Sequence, residues 1–497
     1  MLSLGDESKP VNASSGLPSS LNRATSSSMT DKTKTIAQIF EAQRARVAER
    51  RINFTYAQRK AALDAFREKL LAEEAAIRSA MAAEFGKPAV EVSLTEVLPV
   101  LVELNHTRRH LRRWMRPTRA ASGLAFLGTS TKVHPTPKGV GLIIAPWNFP
   151  FTLTLGPIVS AIAAGCSVIV KPSELTPHCS TLMERMMAEI FPADLVSFVL
   201  GGPEVAQELL ALPFDHIFFT GSTRVGQIVM AEAAKTLTSV TLELGGRSPV
   251  VIGPDANIRD AARWVAWGRF MNAGQACVAA DHVYVHQAVE KIFLTALRQV
   301  MAKMYGKGDA QPSDLAQIAH IAHFDRLEAM LEDARQKGAV VLAGGQTDRA
   351  ERRIAPTVLT QVTDDMEVMR SEIFGPILPV TTFDDRTALI ARLQRSPHPL
   401  TLYAFGKEAF CDEITAATQS GVVGQNICVM PFAHPSAPFG GIGASGMGGA
   451  HGYAGFAAFS HMRPVIKRRV FPFQIMFPPY TARSERLVRL LKWIVGR

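Results

Sequence analysis

A chain of 497 residues, 47% hydrophobic and 20% charged, is long enough to bury more than one core and too balanced to be collagen-like, coiled-coil or wholly disordered. Its formal charge of +10 suits acidic ligands such as dinucleotides, but the basic residues surround no nucleic-acid reader motif, so no nucleic-acid partner is expected. The five cysteines, Cys166, Cys179, Cys277, Cys411 and Cys428, are odd in number and form no CxxC pair; they indicate neither a disulfide framework nor a zinc knuckle and fit a reducing, cytoplasmic compartment.

Residues 1–35 are rich in Ser, Asn, Gly and Pro, and read as a disordered lead-in without a secretory signal, with Met29 available as an internal start. From about 57 to 85 the pattern is helical, with Ala62, Phe66, Leu70 and Leu71 on one stripe, and a second helix is expected over 91–114. A Gly/Ser/Thr-rich segment leads to a short alternating stretch at 131–135. After Lys138 apolar runs alternate with helices. Strands are expected at 140–145, 167–170, 196–200, 216–220 and 240–244, and helices at 177–190 and 224–235. Such alternation means parallel βαβ units in a doubly wound sheet. A second series over about 259–417, with strand candidates at 282–285, 339–342 and 377–380, reads as another α/β domain.

The run 439–455 holds too many glycines to be regular throughout and is expected to turn tightly or wrap something closely. Near the end, Leu487, Leu490, Leu491 and Ile494 fall at helical spacing with Arg486, Arg489 and Lys492 between them. That basic amphipathic helix either packs over a neighbouring subunit or the substrate entrance, or makes peripheral contact with a membrane. No apolar run reaches the ~20 residues that span a bilayer. His320 and His323 form a lone H-x-x-H without a third ligand nearby, so a structural role in a helix is expected and no metal.

Several segments carry possible chemistry. Cys277 ends Asn272-Ala-Gly-Gln-Ala-Cys277; a glycine-bearing loop can expose a thiol to backbone N–H groups that favour the thiolate, although a lone cysteine is more often a small buried hydrophobe. Glu243, at a strand end in Leu242-Glu-Leu-Gly-Gly246, has apolar neighbours that disfavour its charge and move it toward general-base range; a paired structural carboxylate is the alternative. Asn148 follows the 140–145 strand in Pro146-Trp-Asn-Phe-Pro150, where α/β sheets bind ligands, so its amide can serve a developing oxyanion or simply a turn. Phe219-Thr-Gly-Ser-Thr-Arg-Val-Gly226 follows a strand and opens a helix, a context that suits a phosphate although it is not the G-x-G-x-x-G pattern. Lys171-Pro-Ser-Glu174 places a cation and a carboxylate where they can address ribose hydroxyls.

In order along the chain, PWNFP (146–150), KPSE (171–174), FTGSTRVG (219–226), LELGG (242–246), GQAC (274–277), EIFGP (372–376) and PFGGIGASGMG (438–448) resemble the aldehyde dehydrogenase superfamily. The likeness covers roughly 57–461, and seven motifs in register are specific where each alone is weak. The resemblance implies an aldehyde dehydrogenase-like α/β fold of two doubly wound α/β domains and a small β oligomerisation arm. The dinucleotide-binding domain would take 36–130 and 138–246, and the catalytic domain 247–437. The arm would take 131–137 and 438–480, followed by the amphipathic C-terminal helix over 481–497. The tail HGYAGFAAFSH (451–461) looks most like the branch holding fatty-aldehyde and coniferyl-aldehyde dehydrogenases, which implies a homodimer.

In family terms Cys277 attacks the aldehyde, and the amide of Asn148 and the N–H of Cys277 hold the oxyanion. Hydride leaves for a nicotinamide, and Glu243 activates the water that hydrolyses the thioester. The resemblance implies NAD(P), with Lys171 and Glu174 at the adenine ribose, Gly221, Ser222 and Gly226 at the pyrophosphate, and Glu372 and Phe374 at the nicotinamide ribose. Ala145, Pro146, Trp147 and Gly245 complete the cofactor residues. Glu174 argues for NAD because a carboxylate repels a 2′-phosphate, with NADP also open.

The implied substrate is a medium-to-long aliphatic or aromatic aldehyde. The rivals are a semialdehyde enzyme, which needs a cationic anchor, a CoA-acylating relative, which Glu243 speaks against, and a catalytically silent scaffold. The chain departs from the branch at Val278-Ala-Ala-Asp-His282 (for V-A-P-D-Y), at Gly448-Gly-Ala-His-Gly452 (for G-A-Y-H-G), and at Ile427 and Pro431 (for Asn-Asp and then His). All are expected near the substrate mouth, where they bear on substrate identity.

Overall fold

The computed structural model describes residues 34–121, 126, 128–306, 314–469 and 477–496. The lead-in expected over 1–35 lies outside the described residues except for Lys34 and Thr35, and Thr35 caps the first helix, Ile36–Ala45.

Six strands form one sheet, in edge-to-edge order Gly446–Met447, Ser239–Leu244, His216–Gly221, Val140–Ile144, Ser167–Lys171 and Val196–Phe198. All neighbours are parallel except Gly446–Met447, which adds antiparallel to Ser239–Leu244. From Val140–Ile144 the chain winds outward through Ser167–Lys171 and Val196–Phe198. It then returns to the other side of Val140–Ile144 for His216–Gly221. A crevice therefore opens beyond the carboxyl ends of Val140–Ile144 and His216–Gly221, where doubly wound sheets bind ligands. Val140–Ile144 and Ser167–Lys171 are buried at every position, which is why they read as unbroken apolar runs.

A second sheet of seven strands runs Val340–Ala343, Thr357–Thr360, Ile377–Phe383, His282–His286, Pro249–Ile252, Thr401–Phe405 and Val422–Gln425, parallel except for its first pair. A third sheet pairs Thr129–Pro137 with Thr118–Arg119 on one side and with Ser460–Arg468 on the other. The stretch expected at 131–135 is the middle of this nine-residue strand.

The helix expected over 57–85 is two, Tyr56–Ala72 and Glu74–Phe85. The one expected over 91–114 contains a π-helical turn at Ser93–Val97 before Leu98–Trp114. Periodicity missed the helix Pro150–Ala164. It is buried on almost every side, so it has no polar face to reveal a period. Pro150 at its first turn leaves no orphan N–H, and the helix starts two residues after Asn148. The C-terminal helix is Ala482–Val495, capped by Thr481, with Val488, Leu490 and Trp493 exposed. Among the described residues no helix is long and apolar enough to cross a membrane.

Candidate active site

Two loops meet beneath the crevice. Asn148 is 3% exposed, and its Nδ2 donates to the Gln275 carbonyl at 3.1 Å. One amide hydrogen is used in that bond and the other is left for a ligand. Asn272 ties both loops together: its Nδ2 donates to the carbonyls of Asn148 (2.9 Å) and Gln275 (3.2 Å), and its own N–H donates to Glu91 Oε1 at 2.8 Å. Holding this shape takes left-handed backbone at Asn272 and Ala273, both with φ 52, and at Gly274, where any Cβ would collide with the Gly375 carbonyl. Gln275 fixes the outer side, donating to the carbonyls of Asn272 (3.0 Å) and Gln317 (3.1 Å) and accepting from the Ala319 N–H at 2.9 Å. Cys277 thus leaves a loop held by these hydrogen bonds, with only the Asn272 Oδ1 of its buried side-chain polar atoms left without a partner among the described residues. Asn148→Ala is expected to lower kcat by roughly 10²–10³ with little change in KM, the loss typical of one oxyanion donor, and steady-state kinetics check it.

Cys166, Cys179, Cys411 and Cys428 are buried, whereas Cys277 is partly exposed. Burial, and then the charges of Glu372 and Glu243, push the Cys277 thiol up to about 12, while the N–H groups of Cys277 and Val278 pull the other way. Without cofactor the sulfur therefore rests as a thiol. Its alkylation by iodoacetamide is expected to accelerate with pH throughout the range below about 12 without a plateau. A plateau near neutral pH, followed by mass spectrometry of the Cys277 peptide, would contradict this.

Glu243 is 6% exposed, and neither carboxylate oxygen has a hydrogen-bond partner among the described residues. Burial alone pushes its pKa well above the usual carboxylate range. Glu243 and Cys277 line one enclosed cavity of about 40 Å³, beside Glu103, Ala450 and His451. Glu372 is raised to about 7 by burial and by the charge of Asp281, against the Gly246 N–H and the cations Arg269 and Arg326.

The expected cofactor residues follow the carboxyl ends of the same strands. The Ala145 N–H donates to the Lys171 carbonyl at 3.1 Å, joining two strand ends. Lys171, buried, pairs with the half-exposed Glu174 at 2.7 Å. Ser222 follows strand His216–Gly221 and caps helix Thr223–Ala234, accepting from the Val225 N–H. Gly226 lets that helix press on Leu244, where a Cβ would come within 2.6 Å. Gly245 leaves room for the Glu372 carboxylate, which accepts the Gly246 N–H at 3.2 Å. Trp147, next to Pro146, sets its ring 5.5 Å from Phe374 and 5.0 Å from His323. His320 caps the helix Ile321–Gln336, so neither histidine of the H-x-x-H needs a metal to explain it. A helix N-terminus, two glycines that a side chain would block and a buried lysine with an adjacent carboxylate fit a dinucleotide laid across the crevice.

On the other side of Cys277 lies a cavity of about 310 Å³, walled by Leu98, Phe149, Trp267, Met271, Val429 and Phe432 among others, with no charged side chain in its lining. Motif reading missed these residues because they come from four distant segments; the one local sign is the π-turn, which supplies Leu94 and Thr95 to the wall. The expected position of the branch departures needs correction. Val278 does line this cavity, but Asp281 and His282 are buried in an ion cluster, with Asp281 3.3 Å from Arg247 and accepting the Ile373 N–H at 3.1 Å. They brace the Glu372 loop instead of the mouth. Ala450 and His451 line the small cavity beside Glu243.

Residues 18–465 match the aldehyde dehydrogenase family. The chain belongs to that family. It is 37% identical over 436 residues to a 4,4'-diaponeurosporen-aldehyde dehydrogenase of Staphylococcus aureus, covering 87% of this chain and 94% of that protein. It is 39% identical over 469 residues to aldehyde dehydrogenase family 3 member B1 of Rattus norvegicus, covering 93% and 97%. The substrate-bound structure of Staphylococcus aureus AldH superposes with a TM-score of 0.88 at 36% identity, covering 92% of this chain and all of that one. This aldehyde dehydrogenase is therefore an oxidoreductase of the NAD(P)-using family, and the fold agrees with the α/β architecture expected of it.

Proposed function

We propose that this aldehyde dehydrogenase oxidises an apolar aldehyde, medium-to-long aliphatic or aromatic, to its carboxylic acid. The observation that carries the reading is the apolar cavity ending on Cys277 without a charged side chain. The relative named for 4,4'-diaponeurosporen-aldehyde supports it. A semialdehyde would bury a carboxylate there with no partner, at heavy cost.

Cys277 releases its thiol proton to solvent, and the thiolate adds to the aldehyde carbon to give a tetrahedral adduct whose oxyanion the Asn148 amide and the Cys277 N–H stabilise. NAD or NADP, when bound, accepts the hydride from that carbon. Glu243 then takes a proton from the water that attacks the resulting thioester, and the Cys277–acyl bond breaks. Lys171 and Glu174 would hold the adenine ribose, Gly221, Ser222 and Gly226 the pyrophosphate, and Glu372 and Phe374 the nicotinamide ribose. Ala145, Pro146, Trp147 and Gly245 would shape the groove.

Formation of reduced cofactor from decanal, hexadecanal, benzaldehyde, coniferyl aldehyde and succinic semialdehyde, with and without CoA, tests the reading. The best apolar aldehyde is expected to exceed succinic semialdehyde in kcat/KM by roughly 10² or more, without CoA. Preference for the semialdehyde, or dependence on CoA, would overturn it.

NAD is the proposed cofactor. A 2′-phosphate within about 4 Å of Glu174 meets roughly 1–4 kcal/mol of repulsion at surface dielectrics. Glu174→Gln is therefore expected to shift the NADP/NAD ratio of kcat/KM about tenfold or more toward NADP, and an unchanged ratio would count against the assignment.

We also propose a homodimer built through Ser460–Arg468, whose outer edge is unpaired among the described residues and would otherwise template aggregation. The exposed C-terminal helix would cover protein at that interface. Light scattering of the purified chain checks the dimer, and vesicle flotation checks the alternative of membrane contact.

A further inference from the structure

Hydrolysis of each thioester leaves a proton on Glu243, and the buried carboxyl has no protein partner to receive it. It lines a cavity of about 40 Å³, room for roughly three or four water molecules at about 10–15 Å³ each. Glu103 and His451 line the same cavity.

Glu103 is 4% exposed; its Oε1 accepts the Gly452 N–H at 2.8 Å and the Thr107 hydroxyl at 3.3 Å, and its Oε2 lies 3.6 Å from His451 Nδ1. The imidazole stands edge-to-face with Phe432 and Phe439, at centroid distances of 4.9 and 5.7 Å. Its Nε2 is buried with no hydrogen-bond partner among the described residues. His451 holds this position with φ 65 and ψ 144, a backbone region almost reserved to glycine that costs about 1–3 kcal/mol. Strain of that size persists only where the surroundings over-determine it, and here they place the imidazole in the wall of the cavity that Glu243 lines.

We propose that the His451–Glu103 pair receives, through the water in this cavity, the proton that Glu243 takes from the hydrolytic water. This rests on Glu243 being the base. The water's O–H bond breaks as its oxygen joins the acyl carbon, the C–S bond breaks, and Cys277 leaves as the thiolate. The proton on Glu243 passes to cavity water and then to His451 Nε2, where the Glu103 carboxylate offsets the imidazolium charge. The groups around this pair are Glu243 on the same cavity, His106, Arg109 and His110 on helix Leu98–Trp114, and His434 just after the turn Met430–Ala433. His106 borders Gly452 and is itself partly exposed, and His434 is exposed, so the surface lies beside the same side chains.

His451→Gly tests this, because glycine accepts the backbone conformation without strain while removing the imidazole. Rapid mixing with aldehyde and NAD is expected to give a burst of about one reduced cofactor per subunit, as acylation is intact, followed by turnover about 10²-fold slower than wild type. Added imidazole should restore turnover at least about tenfold and pyrazole, of the same shape but not basic near neutrality, should not. Wild-type turnover in His451→Gly, beside a Glu243→Gln variant arrested after its burst, would overturn the relay and leave the base assignment standing. Equal rescue by pyrazole would show a space-filling role and overturn it too. A Glu243→Gln enzyme turning over at the wild-type rate would remove the base, and the relay with it. If His451→Gly does not fold, Glu103→Gln replaces it: a burst followed by slow turnover supports the relay, and wild-type turnover refutes it.

Discussion

Cys277→Ala is expected to abolish oxidation of every aldehyde, by roughly 10⁴-fold or more, while leaving NAD binding and the melting temperature close to wild type. The size of the loss follows from the order of bond changes. An aldehyde carbon cannot release hydride until it is tetrahedral, and Cys277 carries the one thiol in the lining of the apolar space that would hold the aldehyde. Asn148 and the loop of Asn272–Gln275 remain in place without it, since their hydrogen bonds involve no atom of the thiol. Removing one partly exposed sulfur costs little packing. Kinetics alone would not separate a lost nucleophile from a damaged site. The decisive measurement is therefore intact-protein mass spectrometry after rapid quench: wild type should carry an acyl group on Cys277 and the variant none. An acyl adduct elsewhere, or activity within tenfold of wild type, would refute the assignment.

Glu243→Gln is the second large effect, and it has two opposite signs. Activity should fall by roughly 10²–10⁴ because the amide cannot take a proton from water, with the loss confined to the step after the burst. Stability should rise. In the folded chain the Glu243 pKa is raised by burial, so between the unfolded value of 4.5 and the higher folded value the folded state binds the extra proton. The stability that Glu243 contributes as a neutral acid is then complete at low pH and is lost as pH rises through that window. As pH rises through that window the carboxylate carries the cost of a charge held out of water, which glutamine, uncharged at every pH, should not incur. Thermal melts of both proteins across pH check it: the wild-type curve should sag with rising pH relative to the variant. For the same reason wild-type thioester hydrolysis should quicken along a limb displaced above the ordinary carboxylate range. A variant that is both inactive and less stable would mark Glu243 as structural.

The two cavities on either side of Cys277 divide the labour. The larger is lined by apolar side chains without a charge, Leu98 and Met430 at exposed positions among them; the smaller adds the titratable groups Glu243, Glu103 and His451 to its lining.

Much of this was legible in the linear chain. Strand and helix alternation from 140 to 244 announced the doubly wound sheet, because a parallel sheet covered on both faces needs continuous apolar runs separated by helices. Local context made Cys277, Glu243 and Asn148 candidates and left a structural reading open for each, and the resemblance over seven motifs in register favoured the chemical one. The helix Pro150–Ala164 was not legible, since burial on all sides removes the polar stripe that marks a period.

The sequence by itself determined the family, the order of the βαβ units and the segments from which the site is built. Those depend on neighbours in the chain, where propensity and turn chemistry act. Only the tertiary structure decided what those segments face. It moved Asp281 and His282 from the expected mouth into an ion cluster, and assembled an apolar wall from Leu94, Phe149, Trp267 and Val429. It also brought Glu103 and His451, 348 positions apart in the sequence, to one buried carboxylate–imidazole pair. Cavity shape and desolvation arise from which side chains exclude water together, and that is a property of packing, not of sequence spacing.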